Sequence, residues 1–347
     1  MNDMTATARG LALRADGSLR HLLGLEGLPR AMLERLLERS QHYSRPLGAP
    51  PARGNALEGV TVATLFTEPS TRTRVSFELA AQRLGADVAS VEVQLSSRLK
   101  GESMLDTVHT LESLHVDVFV LRDAQADVPE LVARNVAPHV SVLSGGAGSA
   151  AHPTQGLLDA LTILQHKGRI AGLSIAIVGD VRHSRVARSA WHAFAALGAT
   201  DIRIVAPPAL MPERGEFAGC ARSTQLADGI AGCDVVMMLR IQKERMAEAS
   251  IPGAGEYFAE WGLTPVRLKS ARPEAIVMHP QPMNRGIEIA SEVADGPQSV
   301  IRDQVRNGVA VRMAVLEAVI DGRPPPPARS GASAADVAAW LRAGATR

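Results

Sequence analysis

Apolar positions along this chain change their spacing in an ordered way. Between Gly27 and Arg45, Leu28, Met32, Leu33, Leu36 and Leu37 recur at helical spacing, which predicts an amphipathic helix. Short β-branched runs then alternate with helical stretches. Val60–Phe66, Val116–Leu121 and Val140–Leu143 read as strands, and Ser70–Leu84 and Ser103–Leu114 as helices. The alternation restarts with Ser174–Val178, a helix after His183, then Ile202–Val205, Asp234–Leu239 and Ile276–Met278. Strands that alternate with helices predict parallel sheets covered by helices. Because the alternation starts twice, two α/β domains are expected, residues 1–152 and 153–303. Gln304–Ile320 is again helical, with Val305, Val309, Met313, Leu316 and Ile320 on one stripe, and this helix (304–322) is expected to pack back on the first domain. The tail, 323–347, opens with the polyproline spacer RPPPPARSG, and Ser333 and Asp336 stand at capping-box spacing before Trp340.

Composition narrows the function classes. With 347 residues, of which 46% are hydrophobic and 21% charged, the chain lies far from the disordered corner. Its 37 Lys and Arg against 36 Asp and Glu leave a net charge of +1, so no polyanion is attracted globally and nucleic acid is not expected as a partner. The two cysteines, Cys220 and Cys233, form neither a CxxC pair nor a zinc spacing. Neither a disulfide scaffold nor a metal site is expected, in keeping with a reducing cytoplasm. No apolar run reaches about 18 residues and the first residues lack a signal-peptide core, so no membrane span or export is expected.

The densest chemistry lies in Phe66–Glu78, where a strand leads through Ser70-Thr71-Arg72-Thr73-Arg74 into a helix. A helix start offers unpaired N–H groups and partial positive charge, hydroxyls add donors, and a guanidinium matches phosphate oxygens. From chemistry alone an ordinary Ser/Thr cap with solvated arginines is an equal reading. Further candidates are Ser96 and Lys100 in a charged loop, Arg122 closing a strand, and His152-Pro153-Thr154-Gln155 after the glycine-rich stretch Ser144–Gly148. In the last, the proline restricts His152 to extended backbone. Arg185 follows a strand where a dinucleotide fingerprint would sit, but GxGxxG is absent and no nicotinamide cofactor is supported. Arg240 and Gln242 open a charged loop, and His279-Pro280-Gln281-Pro282-Met283-Asn284-Arg285-Gly286 follows the last strand.

Taken in this order, from about Leu22 to Ala318, these segments resemble the aspartate/ornithine carbamoyltransferases: the STRTR phosphate motif, the mobile loop, HPTQ and HPxP. Gln281 stands where the family carries leucine or glycine. The resemblance implies an α/β fold of two doubly wound parallel-sheet domains with the active site between them. It also implies that Ser70, Thr71, Arg72, Thr73 and Arg122 hold the phosphate, with Ser96 and Lys100 from a neighbouring subunit of a homotrimer. His152 would donate to the carbamoyl oxygen, and Gln155 with the backbone of Pro280 and Gln281 would accept from the carbamoyl amine. Arg185, Arg240, Gln242 and Lys100 would hold aspartate. Catalysis would rest on Arg72, Thr73, Lys100, Arg122 and His152, with no cofactor or metal. The Met-Asn-Arg-Gly continuation and the segment before Leu22 resemble the longer aspartate-specific chains that associate with a dihydroorotase-like partner. Two rivals stand beside this reading. An ornithine-specific enzyme typically carries HPCQ and HCLP, against Thr154 and HPQP here, and Arg240 would repel its cationic substrate. A silent assembly subunit would not need every motif residue.

Overall fold

The computed structural model describes residues 10–91, 102–241 and 253–324. Ser96, Lys100, Gln242 and the tail's Ser333, Asp336 and Trp340 lie outside the described residues.

The first expected helix is α1 (Arg30–Tyr43), and it buries the face that its spacing marks: Met32, Leu33, Leu36 and Leu37. Burying a side chain of that size contributes about 1.5–3 kcal/mol. Four parallel strands follow, β1 (Thr61–Phe66), β2 (Asp87–Val91), β3 (Val118–Asp123) and β4 (Ser141–Ala147), in the order β2-β1-β3-β4. The helices α2 (Thr71–Arg83), α3 (Met104–Ser113) and α4 (Val128–Asn135) join them. Ser103 and Asp106 cap α3 reciprocally, which is why that helix starts where its apolar pattern does. Leu22 adds a parallel bridge to Leu143 beyond β4.

The helix α5 (Pro153–Lys167) leads to a second parallel sheet of β5 (Ser174–Val178), β6 (Asp201–Val205), β7 (Ala221–Ser223), β8 (Val235–Met238) and β9 (Ile276–Met278). Its order is β7-β6-β5-β8-β9. Between these strands run α6 (Arg185–Ala196), α7 (Leu226–Ile230), α8 (Ala254–Trp261) and α9 (Pro265–Leu268), and α10 (Ser291–Ala294) follows β9. Both sheets are thus doubly wound. β2 and β7 are absent from the pattern reading because each is an edge strand, short and only part-buried, so neither carries a sustained apolar signal.

The last helix, α11 (Ile301–Asp321), buries Met313 and Leu316 of the expected stripe and packs Val309 and Ile320 against the core, but its buried face differs from that stripe elsewhere. Val305 is exposed, whereas Gln304, Gly308, Val311, Arg312, Val315 and Val319 are buried. The reason is that α11 packs on three helices at once, α1, α2 and α5, so its buried surface is broader than one stripe. In turn α5 packs on α6 as well as on α1 and α11. Its Gly156 is required there, since a Cβ would stand 2.5 Å from the Ser189 backbone oxygen.

Candidate active site

In an open parallel sheet, ligands bind at the carboxyl ends of the strands where the strand order reverses. In the first sheet that point lies between β1 and β3, and in the second between β5 and β8. β1 runs out into Thr67–Ser70 and the start of α2, and β3 ends at Arg122 and Asp123. β5 runs out toward Arg185, the first residue of α6, and β8 toward Arg240. The Ser70–Arg74 turn, Arg122, Arg185 and Arg240 sit at the two reversal points because topology puts them there, whereas the His152–Gln155 turn follows β4 and the Pro280–Gln281 loop follows β9, the outer strands of the two sheets.

The turn before α2 is pinned to β3. Thr67 N donates to Arg122 O (2.9 Å), and Thr67 Oγ1 to Asp123 Oδ2 (2.7 Å). Ser70 occupies the N-cap position yet makes no side-chain cap hydrogen bond, so the ordinary-cap reading does not hold. Thr73 is buried in the first turn. The two arginines of the segment diverge: Arg74 Nε lies 3.9 Å from Glu78, along the helix. Burial, and next the charge of Arg240 from the end of β8, holds Arg72 below its ordinary value.

Arg122 and Arg185 converge over the glycine-rich end of β4. A Cβ on Gly146 would lie 3.0 Å from Arg122 Nη1 and 3.3 Å from Arg185 Cζ, which explains glycine there. Gly146 also has φ of 130°, a backbone that other residues rarely adopt. Arg122 Nη1 donates to Gly145 O (3.1 Å), and Arg185 Nη1 to Gly148 O (2.8 Å). Between them stands Glu68, whose Oε2 accepts from both terminal nitrogens of Arg185 at 3.1 Å and lies 3.4 Å from Arg122 Nε. Burial, then Arg185, pulls Arg122 down to about 10, and it stays a cation at neutral pH.

His152 is buried at the head of α5, where its backbone N–H donates to Ser189 Oγ (2.8 Å). Burial, then the charges of Arg122, Arg312 and Arg185, hold its imidazole well below the ordinary value. The ring is therefore neutral and carries one N–H to donate, while its Nδ1 has no partner among the described residues. One turn on, Gln155 Nε2 donates to Asp159 Oδ1. The loop after β9 is built around His279: its Nδ1 accepts from Gln281 N (2.9 Å), so its Nε2 carries the proton and donates to Glu288 Oε1 (3.2 Å). That clamp holds Gln281 at φ of 55°, and the Gln281-Pro282 bond is cis. Asn284 Nδ2 donates to Ile241 O (3.0 Å), which ties this loop to the strand end carrying Arg240.

Arg72, Arg122, Arg185, His152 and Arg240 are thus coupled electrostatically, and Gln155 is joined to the Pro280–Gln281 loop through Asp159 and Gln304. Four site groups escaped the pattern reading: Glu68, Asp159, Glu288 and Arg312. Of these, Asp159 and Arg312 each left a legible trace, a charge inside the apolar runs Leu157–Leu164 and Val309–Val315. An excess of guanidinium beside a neutral imidazole suits a ligand with a phosphate, a carboxylate and a carbonyl oxygen. Among the described residues no cluster of His, Cys, Asp or Glu has the makings of a metal site, and no helix is long and apolar enough to cross a membrane.

Family comparison agrees with this geometry. Residues 20–165 match the carbamoyl-phosphate-binding domain of the aspartate/ornithine carbamoyltransferases, and residues 171–319 match their aspartate/ornithine-binding domain. Among solved structures, aspartate transcarbamoylase from Trypanosoma cruzi in complex with carbamoyl aspartate and phosphate is 32% identical, with a TM-score of 0.77 over 86% of this chain and 95% of that one. The same enzyme with N-(phosphonacetyl)-L-aspartic acid gives 31% and 0.78 over 89% and 98%. Ornithine carbamoyltransferase from Thermus thermophilus gives 26% and 0.76 over 87% and 99%. With both domain models matched in sequence order and the arginine cluster at both reversal points, the chain is a member of the aspartate/ornithine carbamoyltransferase family.

Proposed function

We infer that the chain transfers the carbamoyl group of carbamoyl phosphate to the α-amino group of L-aspartate, giving N-carbamoyl-L-aspartate and phosphate. The observation that carries the reading is the carboxylate of Glu68 seated on Arg185 beside Arg122: the cleft already holds a carboxylate where an amino-acid substrate would present one. Arg240, at the second reversal point and with its charge felt at Arg72, adds a cation that favours a second carboxylate and opposes the ammonium of ornithine. The T. cruzi enzyme in the comparison binds aspartate.

In this reading residues 1–152, with the helix 304–322, form the carbamoyl phosphate domain and 153–303 the aspartate domain. Ser70, Thr71, Arg72, Thr73 and Arg122 hold the phosphate, joined by Ser96 and Lys100 of a neighbouring subunit in a homotrimer. Arg185, Arg240 and Gln242 hold aspartate. The neutral α-amine attacks the carbamoyl carbon. Negative charge growing on the carbamoyl oxygen is met by Thr73, Arg122 and the His152 N–H. Collapse of the tetrahedral species expels phosphate, which takes the proton released by the amine. Positioning and fixed positive charge supply the rate, and no metal or organic cofactor enters the scheme. The product feeds pyrimidine synthesis in the cytoplasm, with a dihydroorotase-like chain as partner. The test is turnover of carbamoyl phosphate with aspartate and, separately, ornithine. Carbamoylaspartate should form at least a hundredfold faster than citrulline, and equal or reversed rates would overturn the assignment.

A further inference from the structure

A glutamine side chain looks nearly the same with its oxygen and nitrogen exchanged, so the way it faces must be argued from its partners. Here the partners settle it from an unambiguous end. The backbone N–H of His279 can only donate, and it lies 2.8 Å from Gln304 Oε1. Gln304 Nε2 must then face Asp159, whose Oδ1 accepts at 2.9 Å. The same Oδ1 stands 2.9 Å from Gln155 Nε2, one turn earlier on α5. Gln155 is left with its carbonyl oxygen turned away from the network. The buried carboxyl has no other visible employment. Asp159 is fully buried, its Oδ2 has no partner, and no cation pairs with it among the described residues. A buried carboxyl is costly unless its hydrogen bonds are used.

We propose that Asp159 is a positioning residue: by taking one amide hydrogen from Gln155 and one from Gln304 at a single oxygen, it turns the Gln155 carbonyl toward the carbamoyl amine and makes the site select NH2 over CH3. The proposal rests on the reading above in which Gln155 and the Pro280–Gln281 carbonyls accept from that amine. It explains why one carboxyl touches both halves of the site. Gln304 holds His279, the residue before Pro280, so Asp159 sets the acceptor from α5 and, through Gln304, braces the loop that supplies the acceptors after β9. A carbamoyl NH2 has two hydrogens and satisfies both. A methyl group has none to give and would leave both acceptors dry and unpaired.

The probe is acetyl phosphate, which carries a methyl group where carbamoyl phosphate carries the amine. The readout is the ratio of its inhibition constant to the KM for carbamoyl phosphate, in the native protein, Asp159→Leu, Asp159→Asn and Gln155→Leu. Asp159→Leu should lower the ratio about tenfold, the size expected for one orienting hydrogen bond lost from a closed site. Asp159→Asn presents its carbonyl oxygen at the same point and should hold the ratio within about threefold. A merely structural Asp159 would cost stability or kcat and leave the ratio where it was, and that result overturns the proposal. If Gln155→Leu lowers the ratio while Asp159→Leu does not, the proposal fails and the reading of Gln155 stands. If Gln155→Leu also leaves it unchanged, both fall. Should Asp159→Leu not fold, Asp159→Ser carries the same test, because its short hydroxyl cannot reach both amides.

Discussion

Asp159→Asn also exposes the energetic cost of this arrangement. Burial raises the Asp159 carboxyl to about 7 from an ordinary 3.8, even though hydrogen bonds from Gln304 and Gln155 pull the other way. The difference is about three pH units, and at 1.36 kcal/mol per unit it corresponds to about 4 kcal/mol. The sign follows from proton binding. Between pH 4 and 7 the folded chain keeps a proton on Asp159 that the unfolded chain has released, so stability falls as pH rises through that window. Above about 8 the carboxyl is charged in both states and the loss levels off. Asparagine keeps the acceptor oxygen and does not titrate. Its unpartnered buried Nδ2 adds a penalty of about 1–3 kcal/mol that does not vary with pH. The stability of Asp159→Asn relative to the native chain should therefore be flat below about pH 4, climb by about 4 kcal/mol up to pH 8, and flatten again. Urea midpoints measured from pH 4 to 8.5 at one fixed protein concentration read this directly, and the fixed concentration holds any assembly term constant. Parallel curves for the two proteins would mean that Asp159 does not hold a proton in this window, and a variant that loses ground as pH rises would refute the sign.

The site makes three further predictions. Glu68→Gln removes the carboxylate that offsets Arg122 and Arg185, so inorganic phosphate should bind roughly threefold or more tightly by calorimetry, with the gain shrinking at high salt; weaker binding would contradict the electrostatic account. Arg240→Ala should raise the KM for aspartate at least tenfold while changing carbamoyl phosphate affinity by less than about threefold, because a charge-assisted carboxylate contact is lost and the cradle at α2 is kept; unchanged aspartate dependence would remove Arg240 from the site. Lys100→Ala and Arg240→Ala chains should each be nearly inactive alone but regain activity in roughly a quarter of sites when dissociated and reassembled in equal amounts, since half of the chains keep Arg240 and half of their neighbours keep Lys100; mixed trimers without activity would place both residues in one chain's site.

What the sequence made legible, and what it hid, divides along a physical line. Periodicity reports how a segment meets the core, and for β5 and β9 it marked the strand bounds to the residue. It was silent on β2 and β7 because these edge strands are only part-buried and have too little covered surface to impose a pattern, unlike β9, an edge strand buried throughout. On α11 it found only part of the buried face, and included the exposed Val305, because three neighbouring helices together bury more than one side. The Ser70–Arg74 turn and the HPTQ-like turn were legible for another reason: each packs its chemistry into one turn of chain at the start of a helix. Where a partner lies far along the chain, no local rule applies. Gln304 meets Asp159 across 145 positions, and Arg185 meets Glu68 across 117. Their pairing follows from α11 crossing α5, and from the two sheets presenting their carboxyl ends to one cleft. Each of these carboxyls sits against a motif residue, Glu68 against Arg122 and Arg185, Asp159 against Gln155. Local motifs thus name the groups that would touch substrate, whereas the groups that aim and neutralise them are supplied by the fold, and are found only when hydrogen bonds are followed outward from the motif.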